Sequence, residues 1–266
     1  MAKKNSGPLQ PWMLFLISAI LLSAGWLMKP FPILIFFGFA PLFAIADQAK
    51  ENDDFWIHTE FILLSLIASF FAAFSLTPNH LIPAIVHGIV FTLAFLAYSF
   101  SHQSLGSRLG KFTIIFFWLG TEYVLLKSPW RTETIFLADA LILKTDWLQW
   151  TNHTGYLGGS LWILTTNLLL YLAILKDKLN WAYLSLMVIV LAGPAIASYF
   201  ISGQPINRDQ MITLYTQGSS TLNSYLKEGE LVTRTAAWIS VLILLLAFVK
   251  NKTKKNGSRS SRKTGD

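Results

Sequence analysis

Residues 118–175 read WLGTEYVLLKSPWRTETIFLADALILKTDWLQWTNHTGYLGGSLWILTTNLLLYLAIL. Two apolar spans, 111–126 and 156–175, enclose some thirty residues rich in Trp, Asp, Lys and Thr. Trp and Tyr rings favour the headgroup zone of a bilayer, and irregular backbone is tolerated there only under cover of protein or water. A span, an aromatic and polar re-entry and a second span therefore place side chains at a membrane surface.

Composition agrees. The 266 residues are 53% hydrophobic and 13% charged, with a mean hydropathy of +0.50; soluble domains carry about 25% charged residues. Apolar runs recur near the length of about 20 residues that crosses a bilayer. The first run follows Lys3 and Lys4 but ends in WLMKPFP, not in a small-residue cleavage site, and reads as a retained helix. No cysteine is present, so disulfides, thiolate metal sites and thiol nucleophiles are all excluded for this chain.

The expected fold is an all-α integral membrane protein of about eight transmembrane helices without a catalytic α/β domain. Working outward, the spans are 12–28, 32–47, 55–76, 81–100, the two flanking the central loop, 180–201 and 231–249. Lys29-Pro30 and Pro32 suit a turn after the first; Asn52, Asp53 and Asp54 suit caps before the third. Gly193-Pro194 predicts a kink in the seventh. Residues 202–230 form a polar linker, and the basic tail, 250–266, is expected to be disordered. With both termini cytoplasmic, fourteen Lys and Arg lie inside and seven outside, as the positive-inside rule prefers. The net charge of +7 is thus an orientation signal and a contact for anionic lipid, with no nucleic acid implied.

At DWLQWTNHTGYLGGSLWILTTNLLLY the chain resembles the membrane part of the bacterial apolipoprotein N-acyltransferases, especially their Bacteroidetes branch. LSAGWLMKPFPILIFFGFAPLFAIAD is similar to the family's first two helices, and WLGTEYVLLKSPW to its Glu-Tyr segment. QMITLYTQ resembles the strand that enters the family's nitrilase-like domain, and YLKEGELVTRTAAWISVLILLLAFVK the return into its last helix. Between these two the family carries a Glu-Lys-Cys catalytic domain; here about a dozen residues remain. The resemblance therefore implies a membrane scaffold in the bacterial inner membrane, with no catalytic residue, cofactor or metal. Its implied partners are membrane phospholipid, lipoproteins, or a separate nitrilase-type subunit.

The contact candidates for lipid are Glu122, Tyr123, Trp130, Trp147, Trp150 and His153. Glu122 lies four residues after Trp118 and shares a helix face with it; an ionisable group at membrane depth suggests function, and a helix–helix hydrogen bond is the plainer reading. Asp139, Asp146 and His153 could surround a polar headgroup, or simply be solvated. His80 and His87 lie two turns apart, roughly 10 Å, too far for one metal. Gly158-Gly159-Ser160 lacks the strand context of a nucleophile elbow. Gly155 and Gly159 read as a small-residue packing pair, and Glu230 with Arg234 as a surface pair. Three functions compete: a non-catalytic lipid or lipoprotein binder, the membrane subunit of a split acyltransferase, and a small transporter, the last disfavoured by the absence of internal repeats.

Overall fold

A computed structural model describes residues 9–29, 31–51, 55–105, 110–176, 178–201, 207–217 and 224–263. Pro30 and the Asn52–Asp54 caps lie outside these residues, as does the side chain of Glu230 with its suggested pair. The helices are α1 (Pro11–Leu27), α2 (Ile35–Gly38), α3 (Ala40–Glu51), α4 (Phe55–Ala73), α5 (Leu81–Leu105) and α6 (Thr113–Lys127). After a run of 3₁₀ turns follow α7 (Thr151–Thr154), α8 (Gly158–Leu170), α9 (Trp181–Phe200), α10 (Arg208–Gln217) and α11 (Ser224–Lys263). No strand occurs among the described residues.

Among the described residues six stretches are long and apolar enough to cross a membrane: Pro32–Ala49, Trp56–Ala73, Pro78–His102, Gly158–Leu175, Trp181–Phe200 and Val232–Thr253. The chain is an all-α, multi-pass membrane protein. Two of the eight expected spans are shorter, α1 at 17 residues and α6 at 15. Burial sorts the spans by place. Pro32–Ala49 is 78% buried and Gly158–Leu175 72%, whereas Trp181–Phe200 and Val232–Thr253 are 11% and 22% buried. The first two form the centre and the last two face outward, their Leu, Ile and Phe side chains exposed as lipid-facing residues are.

The central span is broken, and its sequence says why. Pro41 has no N–H and would clash with the carbonyl one turn earlier, so the helix stops at Gly38 and restarts at Ala40. A break at membrane depth leaves backbone groups that water cannot reach. Asn167 of α8, fully buried, accepts from Phe39 N–H (2.8 Å) and Ala40 N–H (3.1 Å) and donates to the Ile35 carbonyl (3.0 Å). Ser18 of α1 donates to the Gly38 carbonyl (2.8 Å). Around this point the aromatic core closes, with Trp118 stacked on Phe91 at 4.2 Å and edge-on to Phe39 at 4.9 Å.

At Pro194, inside α9, the Val190 carbonyl that the proline cannot engage accepts the Trp162 indole N–H at 2.7 Å. Three expectations change. QMITLYTQ is helix α10 and not a strand, because a lone strand has no ladder partner here, while its Met211 and Ile212 pack on Leu126, Phe136 and Tyr156. The tail continues α11 to Lys263 instead of being disordered, as its Lys-rich run follows an already nucleated helix. Gly155 is not part of a helix-packing pair: it ends α7 at φ 81°, and Gly159 packs instead against Ala138 of the preceding loop.

Candidate functional site

Residues 128–157 fold into 3₁₀ turns, Pro129–Thr132, Leu137–Leu141 and Thr145–Trp147, followed by α7. The first two roof a cavity of about 840 Å³ whose floor and sides come from α1, α4, α5 and α6. Trp26, Phe74, Ile82, Val86, Val90 and Ile135 give it apolar walls, and Lys29, His80, His87, Glu133, Asp139 and Arg208 a charged and polar margin.

His87 sits one turn into α5 beyond Pro83, whose carbonyl accepts its Nδ1–H at 2.8 Å. Its Nε2 accepts the Ile135 backbone N–H at 3.2 Å. An amide can only donate, so the ring is neutral and carries its proton on Nδ1. Phe70 and Phe74 flank it at 5.2 and 5.3 Å. His80, in the turn before α5, is held by Thr77 Oγ1 and the Phe74 carbonyl.

Asp139 caps its own turn by accepting Phe136 N–H at 2.9 Å and takes the Tyr156 hydroxyl at 2.5 Å. Arg208, from the start of α10, brings Nε to 3.2 Å of its carboxylate and donates through Nη2 to the Thr132 and Thr134 carbonyls (3.0 and 2.9 Å). Burial pushes the Asp139 carboxyl up to about 6, against the opposing pull of the Arg208 charge and the Tyr156 hydroxyl. Burial and the neighbouring Asp139 raise the Tyr156 phenol, which stays a donor.

Of the six expected contact residues only Trp130 lines the cavity, where it is 67% exposed. Glu122 lies behind the wall, fully buried; its Oε1 accepts from Trp118 Nε1 (3.2 Å), Leu137 N–H (2.8 Å) and Ser160 Oγ (3.0 Å). Tyr123 is half-buried under the Lys127 ammonium. Trp147 packs edge-on to Phe31, and Trp150 edge-on to Trp162 and hydrogen-bonded to the Trp147 carbonyl, away from the cavity. His153 and Asp146 are exposed and do not join Asp139, which is largely covered and paired, not a solvated loop group. Sequence reading gave Asp139 the wrong companions: Tyr156 is 17 residues on and Arg208, its charge partner, arrives from a separate helix. Nothing local signals that pairing.

At the opposite end of the helices, Asp47 of α3 meets Lys111 Nζ at 2.6 Å and the Tyr171 hydroxyl, with His102 Nε2 3.9 Å away. A π-turn, Tyr171–Leu175, ends α8 there, an irregularity frequent at functional positions. This cluster ties α3, α5 and the end of α8 together. Among the described residues no group of three or more His, Asp or Glu could hold a metal. Compared with family models, curated proteins and solved structures, the chain matches none.

Proposed function

We propose that this chain is a lipid-binding membrane scaffold of the apolipoprotein N-acyltransferase type, without catalysis of its own, lying in a bacterial inner membrane with both termini cytoplasmic. The observation that carries the reading is the cavity, apolar along its walls and charged at its margin. An amphiphile with acyl chains and a polar head has that same division, and pockets that bind such ligands are apolar with a few placed polar groups. Lys29 and Arg208 supply cations for an anionic head; His80 and Glu133 supply further polar contacts. The membrane face bearing residues 128–157 is then the outer one, where a phospholipid or the lipid of a lipoprotein would enter. The resemblance over 118–175 supports the same ligand class.

The test is photo-crosslinking with a phospholipid bearing a diazirine on its acyl chain, using the full chain in bilayer nanodiscs. Val86→Trp, which fills the cavity from α5, is expected to lower crosslinking about tenfold, roughly 1.4 kcal/mol of binding. Trp147→Ala, away from the cavity, leaves it unchanged. Equal labelling of Val86→Trp and the parent chain sinks the reading. Co-purification of a stoichiometric nitrilase-fold chain would instead make this protein the membrane half of a split enzyme.

A further inference from the structure

Two of the contacts that fasten the roof of the cavity, His87 Nε2 to Ile135 N–H and Asp139 to Arg208, depend on protonation. The turn that contains Trp130 is bonded largely within itself: Glu133 N–H and Thr134 N–H both donate to the Trp130 carbonyl at 3.0 Å, and Thr134 Oγ1 donates to it as well. It is tied outward to α5 through Ile135 N–H and His87, and to α10 through the Thr132 and Thr134 carbonyls and Arg208. We propose that residues 130–135 form a proton-sensitive gate over the cavity, closed by His87 and by the Arg208–Asp139 pair and released when both side chains are protonated. The gate rests on the lipid-binding reading of the same cavity, whose regulation it describes.

The chemistry of the first tie is unambiguous. His87 Nδ1 is committed to the Pro83 carbonyl, so an added proton must go to Nε2 and set N–H against the Ile135 N–H. Phe70 of α4 and Phe74 just beyond it, which flank the ring, carry no charge that would hold a displaced imidazolium in place; across the cavity lie His80, Lys29 and Glu133. In the second tie, Arg208 is oriented by Asp139, and a protonated carboxyl no longer attracts it. Facing Asp139 are Tyr156, which donates to it, and Glu122 of α6, whose Oε1 is taken by three donors of its own. Asp139 titrates near 6, and an added proton acts on both ties in the same direction. Acidification opens the roof; neutral pH closes it.

The absence of cysteine makes the test clean, because two introduced thiols are the only ones in the chain. Nitroxide labels at Thr132→Cys on the turn and Ile82→Cys on α5, in nanodiscs, give a distance distribution by pulsed electron paramagnetic resonance. At about pH 7.5 a short distance is expected; by about pH 5 a longer one replaces it, with its midpoint between. Arg208→Gln and, separately, Asp139→Asn are expected to show the longer distance already at the higher pH. His87→Gln, whose carbonyl accepts without titrating, is expected to flatten the acid response. A distribution unchanged from neutral to acid in the labelled parent overturns the gate. Crosslinking of the diazirine phospholipid in the same nanodiscs separates the two claims: lipid bound under an immobile roof defeats the gate alone, whereas a moving roof over an empty cavity defeats the lipid reading and leaves the gate standing.

Discussion

At the scale of single residues, Glu122 is a fully buried carboxylate and Asp139 a largely covered one near it, and they make opposite demands. Glu122 Oε1 gathers three donors from three segments while Oε2 has no partner. Glutamine keeps the accepting oxygen and puts its NH₂ where nothing was bonded, so Glu122→Gln is expected to change stability by less than about 1 kcal/mol. Glu122→Ala strands a Trp118 indole N–H, a Leu137 N–H and a Ser160 hydroxyl, and is expected to lose roughly 3 kcal/mol, seen as a lower apparent Tm in detergent. Equal damage from both would mean that the charge, and not the oxygen, is what the fold uses. Asp139 is a group whose charge burial opposes. Its folded value of about 6 lies above the ordinary 3.8, so between those values the folded chain binds more protons than the unfolded one. Stability from this group is therefore full below about pH 4 and falls as pH rises to about 6, by about 3 kcal/mol at 1.4 kcal/mol per unit. That is the reverse of the common salt-bridged Asp, and Arg208 reduces the loss without cancelling it. Arg208→Gln is expected to steepen the fall, measured as Tm against pH. Global stability and closure of the roof thus run in opposite directions with pH.

At the scale of elements, the fold turns on the broken helix α2–α3 and on α8, which repairs it. Asn167→Leu keeps the volume but leaves Phe39 N–H, Ala40 N–H and the Ile35 carbonyl without their partner in a dry core. The expected loss is roughly 4 kcal/mol, or failure to accumulate in the membrane. Close approach of α1 to α2 is the second requirement. A Cβ on Gly38 would stand 2.5 Å from Leu22 Cδ2 and 3.1 Å from the Leu22 backbone nitrogen. Gly38→Ala is expected to destabilise by about 2 kcal/mol through overpacking, whereas Gly193→Ala, with nothing within 4 Å, serves as its neutral control. Apolar runs and the Pro-containing turn before residue 33 made these spans legible in the sequence, since bilayer length and a missing N–H are local facts; the break before Pro41 was not read from it. The long-range partners were not. Asn167 stands 127 residues from Ala40, and Trp162 meets the carbonyl freed by Pro194 only because α8 and α9 are packed together. As for the cavity, the aromatic loop lies at its end of the molecule and Trp130 lines it. Trp147 and Trp150 have the same composition and lie elsewhere, because side-chain direction in a chain of 3₁₀ turns has no period to read.

At the scale of the whole molecule, orientation decides whether the cavity meets the environment or the cytoplasm. The element order sets residues 128–157 and the start of α5 at one end, and Asp47, His102 and Lys111 at the other. With both termini cytoplasmic, as proposed, the sequence assigns fourteen Lys and Arg to the inner side and seven to the outer, and seven of the fourteen lie beyond residue 249. Those seven fall within the distance of a span end over which such charges act. The cysteine-free background again allows a direct reading with a membrane-impermeant maleimide on intact cells. Asp146→Cys, at an exposed position of the cavity end, is expected to label at once, and Ser258→Cys only after permeabilisation. Replacing the seven tail cations by Gln equalises the two ends, and then Lys3 and Lys4 alone favour the original orientation at the first span. The expected result is partial labelling of Asp146→Cys in that variant. Full labelling would mean that the first span, not the tail, sets the topology; no labelling in the unmodified background would put the cavity on the cytoplasmic side and take the outer-leaflet lipid with it.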